Sequence, residues 1–339
     1  MGATVVRRLA AAALVVTAAA PAAEGLWPWA PAGPAATAAL SALEDFSFAV
    51  AVAHANWTLV SGGVAIRCGG RRYSSADGSL TRAGTPSRGS GQKATGRGPF
   101  VSLTQLWAAG GCCNLSTAIR YYSTHDSFEF LHTVTDGAHG TAAVPLPPLN
   151  STLSNKPTAT LATEFPTLRL RAAAPAQLPG LVNWGDGGIG PAEILLPAPV
   201  AADLSGWAAA AGMDAGPVVL FSPSSSNSTG FAPTVAIGLG SHFTSTALSR
   251  RAADGALAAG ANGYVSSIPE GWTVSVGLTA RKGVNSAMLA WGEALRAQHD
   301  TARLTLDDDK LSSRLGYVQD DGGYYCFCEY TDRHLNNRR

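Results

Sequence analysis

From residue 46 onward the chain alternates large apolar residues with small or polar ones in short runs. Phe48, Val50 and Val52 are spaced by alanines, and Trp57-Thr58-Leu59-Val60 and Val64-Ala65-Ile66 follow at close intervals. Alternation over roughly four to eight residues, broken by Gly-Gly or Ser-Gly, is the pattern of half-buried strands. The same texture runs through residues 158–170, 218–222, 234–239 and 272–279. In the last of these Trp272, Val274, Val276 and Leu278 fall on one face, and Thr273, Ser275 and Gly277 on the other, as the two-residue period of a strand requires. Such strands, separated by turn-rich loops, predict a mainly β fold built as a large antiparallel β-sandwich.

One helical period stands apart. Val284, Met288, Trp291 and Leu295 recur at four, three and four residues, which predicts a helix over Val284–His299 packed through that apolar stripe. Glu293 and Arg296 fall off the stripe. Residues 82–98, rich in Gly, Ser, Arg and Lys, read instead as an exposed, mobile loop carrying Arg82, Arg88, Lys93 and Arg97.

Composition narrows the function classes. Only 14% of the 339 residues are charged, against roughly 25% in an ordinary soluble domain. Lys and Arg total 24 and Asp and Glu 23, a net charge of +1, which argues against a nucleic-acid binder, since that needs a concentrated basic face. The 8 Trp, 8 Tyr and 10 Phe are dispersed along the chain, and this excludes a disordered polypeptide.

The amino terminus sets the expected compartment. Arg7-Arg8, an apolar stretch from Leu9 to Ala20, and small residues around Ala22-Ala23 have the layout of a secretory signal peptide over residues 1–23. The stretch is too short for a membrane span, and no later one approaches the roughly 20 apolar residues a span needs. Sequons at Asn56, Asn114, Asn150 and Asn227 agree with a secreted glycoprotein. Five cysteines, Cys68, Cys112, Cys113, Cys326 and Cys328, then predict one or two disulfides and a leftover thiol. Neither Cys112-Cys113 nor Cys326-Phe327-Cys328 has the spacing of zinc ligands, so no metal site is expected.

Motifs for chemistry are few. Gly185-Asp186-Gly187-Gly188-Ile189-Gly190 matches the dinucleotide fingerprint in letters, but that motif works by opening a helix onto a pyrophosphate. Pro191, Pro197 and Pro199 follow, and a proline inside a helix costs about 3 kcal/mol. The segment reads as a turn, and no cofactor is expected. The seven histidines are scattered without ligand spacing. The most suggestive group is Asp320-Asp321 followed by Gly322-Gly323-Tyr324-Tyr325. Carboxylates bind hydroxyl pairs and tyrosine rings stack on sugars, so Asp320, Asp321, Tyr324 and Tyr325 are candidate carbohydrate contacts at the end of a strand.

The tail resembles a secreted eukaryotic family related to the α-galactosidase and raffinose-synthase-like glycoside hydrolases. The family pattern runs A-M-x-x-W-G, D-x-x-L, then L-G-Y-W-T-D-N-G-A-Y-Y-Y-Y. Here stand Ala287-Met288-Leu289-Ala290-Trp291-Gly292, Asp308-Asp309-Lys310-Leu311, and Leu315-Gly316-Tyr317-Val318-Gln319-Asp320-Asp321-Gly322-Gly323-Tyr324-Tyr325-Cys326-Phe327. Val318 departs from Trp, Asp321 from Asn, and Cys326 and Phe327 from Tyr. Gly216-Pro217-Val218-Val219-Leu220-Phe221-Ser222-Pro223 and Ile268-Pro269-Glu270-Gly271 resemble the sandwich domain of the same family.

The resemblance implies a supersandwich-like β-domain, a linker helix and the start of a (β/α)8 barrel whose catalytic acids lie on later strands. The expected organisation is a signal peptide at 1–23, an Ala/Pro-rich lead at 24–45 and the sandwich at 46–282. A helical linker at 283–312 and a truncated barrel start at 313–339 follow. The expected function is the non-catalytic front of a secreted glycoside-hydrolase-like protein. A stand-alone carbohydrate-binding or cell-surface sandwich glycoprotein is the alternative.

Overall fold

The computed structural model describes residues 14–16, 38–42, 46–53, 55–93, 96–143, 161–172, 179–183, 193–195, 217–222, 232–250 and 256–303. The chain divides into two compact units, Met1–Asp300 and Thr301–Arg339. The first is an antiparallel β-sandwich.

One sheet runs, in spatial order, Leu14–Val16, Ala38–Ala42, Phe48–Val52, Trp57–Ser61, Thr167–Ala172, Leu257–Ala261 and Thr246–Arg250. The other is centred on five strands: β1 (Gly98–Ala108), β2 (Asn114–Tyr122), β3 (Ser127–Val134), β4 (Pro233–Leu239) and β5 (Trp272–Lys282). Their spatial order is β4-β5-β3-β2-β1. Beyond β4 lie Val218–Phe221, Gly180–Asn183 and Glu193–Leu195, and Thr81–Arg82 and Ser87–Lys93 pair with β1.

The two sheets meet through alternate residues. Phe48 and Phe130 face each other at 5.3 Å between ring centroids, and Phe165 packs edge-on to both. Val274, Val276 and Leu278 are fully buried in this core with Trp272 partly buried at its edge, as the alternation predicts. The polar face of β5 is not solvated, however. Ser275 and Thr279 are buried as well, because the helix α1 (Val284–His299) lies over that face.

The helix has the predicted bounds, and the predicted stripe packs through Val284, Met288 and Trp291, with two alanines added to it. Its buried residues are Ala287 and Ala294, with Val284, Met288 and Trp291 half-buried against Val219 and Ala236. Glycines on the sheet allow this contact. A Cβ built on Gly238 would come within 2.8 Å of the Trp291 ring, so the indole sits where a side chain would otherwise stand, and small helix residues reach the strands. Asp300 closes the helix in the left-handed conformation, its N–H bonding to the Arg296 carbonyl, and Arg296 and His299 in the last turn complement the helix dipole.

Residues 82–98 are not a solvated loop. Ser87–Lys93 forms a hairpin with β1, pairing Ser87 with Thr104 through to Lys93 with Gly98. Its composition hides this because an edge strand is held by backbone hydrogen bonds and needs few apolar side chains. Arg82 and Arg88 are exposed as expected, but Lys93 is half-buried and Arg97 fully buried.

Cys68 and Cys112 form a disulfide, and Cys113 is a buried free thiol, pushed up to about 11 by burial and then by the Asp136 charge. Cys326 and Cys328 lie outside the described residues. So does 185–190; the strands Gly180–Asn183 and Glu193–Leu195 pair antiparallel.

Candidate functional site

The chemistry-bearing side chains that the fold brings together sit beneath α1, on the outer face of the second sheet. Alternation along β3 sends Phe128, Phe130 and Val134 to the core and Glu129 to the other side, where the helix side of the sheet would otherwise be open to water. Glu129 is nonetheless 0% exposed. Register places Arg120 of β2 directly opposite it, and Gly277 of β5 on its other flank.

Three cations converge on this carboxylate. Arg97 Nη1 stands 3.1 Å and Lys93 Nζ 3.4 Å from Oε1, and Arg120 Nη1 is 3.6 Å from Oε2. The Tyr122 hydroxyl donates to Oε2 at 2.6 Å and the Ser275 hydroxyl to Oε1 at 2.8 Å. Burial pushes the Glu129 carboxyl up, but Arg97, Lys93 and these two hydrogen bonds outweigh it and hold it below the usual carboxylate range. Burial likewise drives the Tyr122 phenol up, helped by the Glu129 charge, and pulls Arg97 and Lys93 down.

Each of the two guanidinium groups lies over one aromatic ring. Arg97 lies over the Tyr122 ring at 4.2 Å and Arg120 over Phe100 at 4.5 Å, contacts of the cation–π type. Gln298, in the last turn of α1, ties the cluster to the helix. Its carbonyl accepts from Arg97 Nη1 at 2.7 Å, and its amide donates to the Gly240 carbonyl and to Ser275 Oγ. The result is an ionic clamp between helix and sheet. Its carboxylate is already ionised and surrounded by donors, so it has no proton to give at neutral pH.

Between α1 and the sheet a cavity of about 10 Å³ remains, bounded by Arg97, Thr279, Trp291, Ala294 and Gln298 among others. That is room for about one water, far too little for a sugar ring.

Other described carboxylates are engaged locally. Arg72 donates twice to Glu164, each bond 3.0 Å. Asp126 takes Arg281 and the Tyr121 hydroxyl, and Asp136 takes the side-chain amide and backbone N–H of Asn114. Among the described residues no group of three metal-ligating side chains comes together, and no helix is long and apolar enough to cross a membrane.

No family model matches the chain, and no curated protein does. Among solved structures it is similar to the α-N-acetylgalactosaminidase NagBb from Bifidobacterium bifidum in its GalNAc complex. The identity is 12% and the TM-score 0.41, over 78% of this chain and 38% of that one. It is also similar to a glycoside hydrolase family 97 enzyme from Pseudoalteromonas sp. strain K8 in complex with acarbose, at 10% identity and TM-score 0.40, over 73% of this chain and 34% of that one. The chain thus spans well under half the length of either. A likeness this distant assigns no residue a role.

The sequence-derived candidates divide. Asp320, Asp321, Tyr324 and Tyr325 lie outside the described residues, as do Asn150 and Asn227. Asn56 and Asn114 are both exposed; Asn114 Nδ2 donates to Asp136 at 2.9 Å. Sequence reasoning placed Arg97 on an exposed loop and missed Glu129 and Gln298 altogether. Their one signal was an acid inside the apolar alternation Phe128-Glu129-Phe130.

His132 is buried between the sheets. Its Nδ1 donates to the Phe165 carbonyl at 3.0 Å, so Nε2 accepts from the Thr163 hydroxyl at 2.8 Å. Burial pushes the imidazole down to about 4. Between that value and the unfolded value near 6.5 the unfolded chain binds the proton and the native one does not. Stability is therefore complete above about pH 6.5 and falls by up to about 3 kcal/mol as pH drops toward 4. Urea unfolding at pH 7, 5.5 and 4.5 measures this, and a His132→Gln variant flattens the slope across that window.

Proposed function

We propose that this chain is a non-catalytic, carbohydrate-related β-sandwich from the front of a secreted glycoside-hydrolase-like protein. The observation that carries the reading is the state of Glu129. A retaining glycosidase needs two carboxyls roughly 5–5.5 Å apart, one of them a protonated acid. The most buried carboxylate among the described residues, Glu129, is instead a counter-ion to Arg97, Lys93 and Arg120, and the cavity between α1 and the sheet is only about 10 Å³.

Secretion is supported by the layout of residues 1–23 and by the Cys68–Cys112 disulfide, since such bonds persist in oxidising compartments. The relation to glycoside hydrolases rests on the motif resemblance across residues 284–330, which also makes Asp320, Asp321, Tyr324 and Tyr325 the sugar-facing candidates.

Purified full-length protein is expected to give no turnover of aryl α- or β-glycosides above the protein-free rate. Turnover that follows the protein through successive purification steps overturns the reading. Reproducible binding on a glycan array that is lost in Asp320→Ala would favour the stand-alone carbohydrate-binding sandwich instead.

A further inference from the structure

The sheet that carries α1 ends on a long, open edge. Among the described residues Ser87–Lys93, with seven residues, is the longest strand at a sheet edge. The far edge of the same sheet is three residues long, and those of the facing sheet are three and five. Ser87–Lys93 pairs with β1 through all seven residues without a break in register, and no described strand lies along its other side. Five of the seven residues are exposed.

An edge strand is ordinarily guarded by charges, a proline or a bulge that keep a second chain from adding to it. This one contains no proline and no bulge. Of its two charges, Lys93 is turned back toward Glu129 at 3.4 Å, which leaves Arg88. The remaining residues are Ser, Gly and Gln, so few side chains screen the outer backbone groups.

We propose that this edge is a self-association surface, through which two copies of the chain pair antiparallel about a two-fold axis at Ser90. Strand length selects the register. Pro86 has no N–H with which to extend the ladder at one end, and at the other Lys93 pairs with Gly98 and closes the hairpin. The antiparallel register that pairs all seven residues sets Ser90 opposite Ser90, Arg88 opposite Gln92 and Ser87 opposite Lys93. No like charges then stand directly opposite, a placement that destabilises a strand pair. The two Arg88 residues lie four positions apart along the ladder, about 13 Å, beyond the screening length of about 10 Å at 0.1 M salt. With one outward charge, the edge has no row of cations to select an acidic strand, whereas its own sequence is self-complementary, as a two-fold contact requires. A single strand pair buries little surface, so the association is reversible and grows with concentration.

Single cysteines in the full chain read the register. Under mild oxidation Ser90→Cys should give a disulfide-linked dimer, because the axis sets the two Cα atoms within the span of a disulfide. Arg88→Cys and Gln92→Cys should each stay at the wild-type level alone and cross-link when mixed. In sedimentation velocity the wild-type mass should rise from one chain toward two with concentration. Gln92→Lys, which sets a lysine opposite Arg88 at both ends, should weaken the dimer by about tenfold. A wild type that stays monomeric at every concentration, cross-linking of Ser90→Cys no greater than that of Arg88→Cys, or a dimer that Gln92→Lys leaves unchanged each overturns the proposal.

Discussion

Replacing Glu129 with Gln should lower the unfolding free energy by about 3–5 kcal/mol, the range found when one partner of a buried ion pair is removed. Glutamine has nearly the same shape, and its one carbonyl oxygen can still accept from Tyr122 or from Ser275 while its amide donates to the other hydroxyl, so the packing is largely kept. The charge is lost. Arg97, 1% exposed, would then face Lys93 and Arg120 with no anion at its 3.1 Å contact. The cost is therefore that of an uncompensated buried cation, and a compensating change should recover it. Glu129→Leu combined with Arg97→Met is expected to be more stable than Glu129→Gln alone, since an apolar pair of similar volume carries no desolvation penalty. Urea unfolding followed by tryptophan fluorescence reads both. A loss below about 1 kcal/mol for Glu129→Gln would place the cluster in solvent, where ion pairs contribute little.

Removing the Cys68–Cys112 bond, as a double alanine variant, should cost about 4 kcal/mol. The two residues are 44 apart in sequence, and closing a loop of that length restrains the unfolded chain by about this amount in the chain-entropy treatment. The link also has a native role, joining the Ala65–Cys68 and Arg71–Ser74 hairpin to the turn between β1 and β2. Cys113 is next to Cys112 but does not compete for the partner. It is buried, and with its thiol raised to about 11 little of it is thiolate, the form that attacks disulfides. Equilibrium unfolding of the oxidised protein and the double variant under the same conditions measures the difference. A gap under 1 kcal/mol would show that the unfolded chain is not restrained by this bond.

What could be read from the sequence follows from which forces are local. The helix was legible to the residue because a 3.6-residue apolar period is a local property, and the strands at residues 48–52, 57–61 and 272–279 because alternation is one too. The packing stripe was legible in Val284, Met288 and Trp291 but not in Ala287 and Ala294, whose burial depends on how closely the helix settles on the sheet, where the Trp291 ring lies against Gly238. The strand Ser87–Lys93 was hidden by its own Gly and Ser content. The clamp was hidden for a different reason: Arg97, Glu129, Ser275 and Gln298 come from four distant stretches, and their types alone look like ordinary solvated polar residues. Only the register of β2, β3 and β5 under the helix brings them together.

Glu129, held between Arg97, Lys93 and Arg120, is a counter-ion whose ionisation can be observed directly. With only eight glutamates in the chain, selective carbon-13 labelling of glutamate side-chain carboxyls gives a tractable spectrum, and Glu129→Gln assigns the resonance by its disappearance. Titrated from pH 8 to 4.5, the Glu129 signal should stay at the ionised position throughout. A Glu129 resonance that moves to the protonated position with a midpoint above pH 5 would contradict the account, because a carboxyl held neutral near neutrality is poised to donate a proton.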